Sequence, residues 1–347
     1  MRALDGHFSH SHAESLATDI TNVIHSISAS RIDDLTAGAP VLKADLHCHS
    51  YFSGKTNHVK ALEPMDCYSS PERIYELAKA RGMDIVTITD HDSIDGCLYF
   101  LNKFPDKVHQ DFFIGEEVTA VIPEFGNKVH IGVYDITEAH HREITRLKSN
   151  FDDLIQYLRA EEIIHVLNHL FHGFPQRTFG LKFVEKMVHS FDLFEGLNGA
   201  IGRRQNGLVA RMIRKYPNKS LVAGSDSHTL LRLGSCYTLA PGKTKSEFLN
   251  NFRAGKVMIA GRYGRFTHIF NDAMGVYLNY FRDITFKNEV HHNWSSLKKI
   301  RNGIGWAGYL PVFLSLSFLY SIIYYRLEDH RQPYYEKLCR EVCEGSW

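Results

Sequence analysis

From Lys43 onward the chain alternates short β-rich runs with helical stretches, and this alternation narrows the fold more than any other feature. Strands are expected at Ala44 to His47, Asp84 to Thr89, Phe112 to Glu117, Lys128 to Val133, Ile163 to Asn168, Leu193 to Leu197, Ser220 to Gly224 and Val257 to Ala260. Helices are expected at Pro71 to Arg81, Asn150 to Ala160, Lys182 to Ser190, Arg203 to Tyr216 and Lys245 to Ala254. Such a series favours parallel strands with helices outside, as a closed barrel or a doubly wound sheet. Before it, Ala17, Ile20, Val23, Ile24 and Ile27 recur at helical spacing, so a helix is expected over about 12–30, followed by the polar linker "SRIDDLTAGAP".

The polar residues then fall in a regular place. "DLHCH", "TITDHD", "FIGEEVT", "KVHIG", "VLNHLFH", "FEGLNG" and "GSDSH" each lie at or just beyond the end of an expected strand, and in a parallel α/β barrel such ends open on one face. In an extended strand residues i and i+2 share a side, so His47 and His49 converge, with Asp45 behind them. Cys48 between them faces the other way, into the core. Histidine is abundant, at 21 residues, and imidazole is the commonest metal ligand. The six cysteines are scattered with no CxxC, which fits reduced thiols in a cytoplasmic setting. A formal net charge of +1 gives no reason to expect a nucleic acid polymer as partner, and the N-terminus lacks the basic start and apolar core of a signal peptide.

With their order along the chain, "DLHCHS", "GMDIVTITDHDSIDG", "IGEEVT", "VHIGVY", "HVLNHLF", "FEGLNG" and "AGSDSH" resemble the PHP (polymerase and histidinol phosphatase) metallohydrolases, from Lys43 to about Tyr263. The resemblance implies an α/β fold, a distorted (β/α)7 barrel over 43–264, with an N-terminal helical segment and linker at 1–42 and a C-terminal helical extension at 265–347. It implies two or three divalent metal ions at the barrel mouth. Motif by motif, His47 and His49 would hold the first with Asp226, and Glu117 would be the bridging carboxylate. His130 and His169 would complete a second position, and His91 with His228 a third. A further histidine that some members carry after the first motif has no clear counterpart, His58 being nearest. Nitrogen and carboxylate donors without thiolate suit Mn, Zn or Fe. Asp45 and Asp90 are expected to orient imidazoles from behind, Glu195 to act outside the ligand set, and Asn198 to position substrate.

The activity implied is metal-dependent phosphoesterase chemistry on a small phosphorylated metabolite or nucleotide, through a hydroxide shared between metals. Glu117 and His169 would serve the reaction, and Arg203 or Arg204 would clamp the phosphate. The same ligand set leaves open an amidohydrolase-like attack on a C–N bond, or a catalytically silent metal-binding or phospho-ligand-sensing module. "SGKT" at Ser53 to Thr56 is no P-loop, since His49 stands where the motif needs glycine. His172 lies three residues after His169, within reach of the site or in a loop of its own. The adjacent pairs His140–His141 and His291–His292 would diverge on a helix, so both read as solvated surface. Beyond Tyr263, 303–325 carries no charged residue and is flanked by Lys298, Lys299, Arg301 and Arg326. It is a candidate membrane segment, or else a buried or interfacial helix. A span would anchor the chain to the inner membrane with the metal site on the cytoplasmic side.

Overall fold

The computed structural model describes residues 40–56, 63–172, 180–287 and 289–344; the helix expected over 12–30 and His58 lie outside them. In chain order the strands are β1 (Val41–Asp45), β2 (Ile85–Val86), β3 (Gly115–Ile122), β4 (Asn127–Tyr134), β5 (Ile164–Leu167), β6 (Leu193–Asn198), β7 (Ser220–Gly224), β8 (Cys236–Pro241) and β9 (Met258–Gly261). They form two sheets, ordered β2-β1-β8-β9 and β3-β4-β5-β6-β7.

The α/β class holds; the strands lie in two sheets, and the distorted (β/α)7 barrel is not confirmed, since no closed barrel is seen among the described residues. Only β1 with β2, and β5 through β7, pair in parallel. β3 and β4 are joined by residues 123–126, too short a link for a crossover, so they pair antiparallel, and β4 with β5 likewise. β8, which was not among the expected strands, inserts antiparallel between β1 and β9. Isolated bridges join His91 to Glu117 and Cys48 to Ser227, carrying backbone contacts from one sheet's loops to the other.

The helices are α1 (Pro71–Ala80), α2 (Asp95–Lys103), α3 (Lys107–Gln110), α4 (Glu138–Leu147), α5 (Phe151–Ala160), α6 (Leu181–Ser190), α7 (Arg203–Ile213), α8 (Lys245–Arg253), α9 (Phe266–Arg282) and α10 (Ser296–Glu344). Their starts follow local chemistry. Ser70 caps α1 ahead of Pro71, and Asn150 and Thr244 cap α5 and α8 through their side-chain oxygens. Thr137 and His140 cap α4 reciprocally, which is what the first histidine of "EAHHRE" does.

One buried cluster draws on both sheets: Ala44 and Leu46, Ile85, Tyr134, Val166, Val222 and Ala240, closed by Phe248 and Phe252 of α8. A larger one covers the other face of the five-stranded sheet and includes Tyr335, Leu338, Cys339 and Val342 from the end of α10. Each such side chain contributes roughly 1.5–3 kcal/mol by leaving water, so the C-terminal extension is held by the same core as the strands. The candidate membrane segment at 303–325 lies inside α10, and no helix among the described residues is long and apolar enough to cross a membrane. Gly303, Gly305, Gly308, Pro311 and three serines dilute the run, so the span is not supported.

His291 overturns the surface reading of its pair. It is buried, its Nδ1 is 2.8 Å from Asp283 Oδ2, and its ring packs on Trp294. It does not sit on a helix, so adjacency did not force the two rings apart.

Candidate metal centre

The site is assembled around one carboxylate. Glu117 is fully buried, early in β3, and its alternation with Glu116 sends the two acids to opposite faces. Glu116 meets His141 Nδ1 at 2.8 Å, so the second histidine of "EAHHRE" is not merely solvated. Glu117 faces His47 Nε2 at 3.2 Å, His91 Nδ1 at 3.0 Å, His130 Nδ1 at 3.3 Å, His169 Nε2 at 3.1 Å and His49 Nε2 at 3.6 Å. Asp226 Oδ1 lies 3.5 Å from His47 Nε2, 3.4 Å from His49 Nε2 and 3.6 Å from His228 Nδ1. All eight residues expected as ligands therefore meet in one place.

Glu117 and His130 reach it from inside strands, not from their C-terminal ends, because the β3-β4 hairpin keeps pairing past the mouth. The register sets Thr119 opposite His130, so His130 is the diagonal neighbour of Glu117 on the same face. His169 and Asp226 sit in loops directly after β5 and β7, with φ of 27° and 50°. Left-handed backbone at a residue with a Cβ costs about 1–3 kcal/mol and persists only where the surroundings impose it. Here His169 N donates to Glu195 Oε2 at 3.0 Å and Asp226 N to His47 O at 2.7 Å. Gly224 lets these loops approach: a Cβ there would stand 2.6 Å from His47 N.

Behind the imidazoles lies a second layer of acceptors. Glu195 Oε1 is 2.9 Å from His47 Nδ1, which reserves Nε2 for the centre. Asn198 bridges two acids, donating to Glu195 Oε2 at 2.9 Å and to Asp226 Oδ2 at 3.0 Å, a different task from positioning substrate. Asn168 donates to Glu117 Oε1 at 2.9 Å. Asp90 acts on His49 only through Ser53: Ser53 Oγ donates to Asp90 Oδ1 at 2.7 Å and lies 3.1 Å from His49 Nδ1. Asp45 touches no imidazole. It accepts the backbone N–H of Ser225 at 2.8 Å and of Gly234 at 2.7 Å, tying β1 to the loops that carry Asp226 and β8.

Asp66 joins the site without having been expected from sequence. Its Oδ2 stands 2.8 Å from His228 Nε2 and 3.5 Å from His91 Nε2, on the outer side of the group His49, His91 and His228. It lies in an irregular loop, where no strand or helix period marks a side chain as inward. His172 approaches the His169 ring at 5.3 Å between centroids, and burial followed by the charge of His169 pushes it down to about 3. Arg203 stands over the Tyr263 ring at 6.0 Å, and Arg204 is exposed.

Charge balance explains the protonation. Burial would push the His47 imidazole down, but Glu117, Asp226 and Glu195 overturn that and hold it well above its ordinary value. His228 is driven up to about 9 against burial by Asp66 and Asp226. His49 instead falls to about 3, through burial and then the charges of His228 and His91. Glu117 and Asp226 stay well below the usual carboxylate range despite burial, each held there first by His47. The cluster carries strong buried negative charge that imidazolium protons offset.

A cation fits it better than protons do. His47 Nε2, His49 Nε2, Glu117 Oε2, His130 Nδ1 and Asp66 Oδ2 are all buried without a hydrogen-bond partner among the described residues, although opposite charges stand 2.8–3.6 Å away. Lone pairs aimed at common points, not at each other, give this pattern. Four overlapping groups have donor atoms close enough to share an ion: His47–His49–Glu117, His91–Glu117–His130, His49–His91–His228 and His47–His169–Glu195. The His and Glu clusters thus suit divalent metals.

Residues 203–257 match the family model described as PHP-associated. The chain is 33% identical over 123 residues to an uncharacterized protein of Methanocaldococcus jannaschii, a match spanning 35% of this chain and 59% of that protein. Similar solved structures include a two-domain protein of Bacteroides vulgatus containing a predicted PHP-like metal-dependent phosphoesterase (TM-score 0.45, 14% identity, 65% of this chain and 66% of that one). Others are PsfC of Pseudomonas syringae (0.44, 15%, 64% and 92%) and an amidohydrolase of Chromobacterium violaceum (0.39, 14%, 62% and 97%). The ordered motif series and the matched PHP-associated segment together support a PHP-domain family for this chain.

Proposed function

We propose that this chain is a metal-dependent phosphoesterase that hydrolyses a small phosphorylated metabolite or nucleotide. The observation that supports it most is the convergence of buried, unpartnered nitrogen and carboxylate donors on Glu117. In this reading His47, His49 and Asp226 hold one ion, His130 and His169 a second, and His91 with His228 a third, with Glu117 shared. Mn, Zn and Fe suit such a donor set. Bound divalent ions would supply Lewis acidity, neutralising phosphoryl oxygens and acidifying water.

The chain's own residues do the rest. Glu195 fixes the His47 tautomer, and Asn198 holds Asp226 so that Oδ1 faces inward. Asp66 sets a carboxylate 2.8 Å from His228 and 3.5 Å from His91 on the outer side, offsetting their charge. Arg203 and Arg204 open α7 near the end of β6 and bring positive charge to the rim for the phosphate. The preformed geometry, with two residues locked in left-handed backbone, means little has to reorganise when substrate arrives.

The test is metal analysis of the purified chain, then turnover of a panel of phosphomonoesters and nucleotides with Mn or Zn, beside a His47→Ala, His49→Ala double variant. Two or three metals per chain, with activity lost in a variant that still folds, is the expected result. A metal-loaded wild type that turns over none of the panel refutes the proposal.

A further inference from the structure

Arg232 follows Asp226 and His228 by a few residues, in the turn that leads to β8, and it is only 6% exposed. A guanidinium that deep normally spends its donors on carbonyls or carboxylates. This one does not. Its Nε and Nη1 have no hydrogen-bond partner among the described residues, and the carboxylate it faces, Asp272 Oδ2, stands 3.9 Å from Nε, beyond hydrogen-bond range. Asp272 is engaged elsewhere, accepting from Thr229 Oγ1 at 2.8 Å. Burial also pushes the Asp272 carboxyl up, which weakens it as a counter-charge.

The surroundings select an anion. Ser235 Oγ is a second buried donor without a partner among the described residues. The turn holds it close, since Ser235 N donates to Arg232 O at 2.8 Å. It lies beside Gly199, where a Cβ would come within 3.0 Å of it. Positive charge gathers there: after burial, Arg232, Arg265 and Arg262 together push the His268 imidazole down. Arg262 and Arg265 are exposed, at the outer edge, while Arg232 is inside. Asp272 accepts from Thr229, the residue directly after His228, which places this positive pocket on the flank of the metal centre.

We infer that Arg232 is the anion anchor of the site, taking an oxygen of the substrate's phosphate with Ser235 Oγ as second donor. That the anion is a phosphate rests on the phosphoesterase reading; that an anion binds there does not. The rim pair Arg203 and Arg204 then guides, while Arg232 holds.

Titrating inorganic phosphate into the full chain by calorimetry, both metal-free and Mn-loaded, tests this with Arg232→Gln, Arg232→Lys and Asp272→Asn. Arg232→Gln should weaken phosphate binding at least tenfold in both forms with metal content unchanged, and Arg232→Lys should recover part of it. Asp272→Asn should tighten binding by removing a negative charge that stands 3.9 Å from the guanidinium, and it decides the matter if Arg232→Gln fails to fold. Phosphate affinity within twofold of wild type in Arg232→Gln, or no tightening in Asp272→Asn, overturns the inference. Binding that depends on Arg232 in a chain without phosphoester turnover would refute the proposed reaction and leave the anion site standing.

Discussion

Replacing Glu195 by glutamine is the sharpest probe of how this centre is held. The change is nearly isosteric and lies one side chain away from every proposed ligand contact on Glu117. Glu195 Oε2 accepts from His169 N and from Asn198 Nδ2, at 3.0 and 2.9 Å, and Oε1 is 2.9 Å from His47 Nδ1. A glutamine has one acceptor end for these three partners. If its oxygen serves His169 and Asn198, its NH2 meets Nδ1 of His47, which must then accept, and the ring proton moves to Nε2. That nitrogen is the one 3.2 Å from Glu117, so it can no longer bind a cation. Turning the amide round instead sets its NH2 against two donors. Loss of a carboxylate partner behind a ligating histidine typically weakens metal affinity 10–100-fold, about 1.4–2.8 kcal/mol. The mismatched buried donors cost the metal-free fold a further ~1–3 kcal/mol. Competition against a chelating dye, for Mn or Zn, reads the first figure, and urea unfolding of the metal-free chain reads the second. An affinity within threefold of wild type would refute the claim that Glu195 sets the His47 tautomer.

Gly224→Ala drives a Cβ to 2.6 Å from His47 N and 2.9 Å from its Cα, where backbone must shift, so a loss of about 1–3 kcal/mol in urea unfolding is expected; unchanged stability would show that the loop after β7 can simply move. Leu338→Ala should cost about 2–4 kcal/mol, because its side chain lies in the main core although it belongs to the C-terminal extension; a neutral result would mean that α10 docks only loosely. Asp283 accepts N–H bonds from Glu289, Val290 and His291 and stands at about 2, with burial opposed first by His291. A folded value below the unfolded ~3.9 stabilises fully above pH ~4 and is lost as pH falls towards 2, so Asp283→Asn should remove about 1–2 kcal/mol at neutral pH and flatten that acid limb; parallel pH–stability curves for the two proteins would contradict this.

What the sequence disclosed divides along physical lines. Ligand candidates on elements with a clear period or just after them were legible: His47 and His49 by strand alternation, Glu117, His130, His169 and Asp226 by place and motif. Asp66 was not, since an irregular loop carries no period to point a side chain. Pairing partners were not either. The run "CYTLAP" alternates like a strand, yet nothing local says that it inserts between β1 and β9, because that register depends on contacts some 200 residues apart. The antiparallel β3-β4 hairpin follows from a short connection that was visible but was outweighed by the overall alternation. In the extension, composition suggested a bilayer, whereas the decisive residues were Tyr335, Leu338, Cys339 and Val342, a helical stripe downstream that finds the core.

The two sheets also give the centre a structural task. His47, His49 and His91 come from loops after β1 and β2, in one sheet; Glu117, His130, His169 and Asp226 come from strands and loops of the other. Backbone links join them at the mouth, among them the bridges at Cys48–Ser227 and His91–Glu117 and the bond from Asp226 N to His47 O. Ionisable side chains meet across the same line, and their mutual attraction depends on imidazoles staying protonated. A divalent ion held by residues from both sides of this line would replace labile protons with bonds to both sheets at once. Its binding energy would then go partly into the arrangement of the sheets, so the fold and the chemistry would share one set of contacts. This would account for why so much buried charge is tolerated where the two sheets meet.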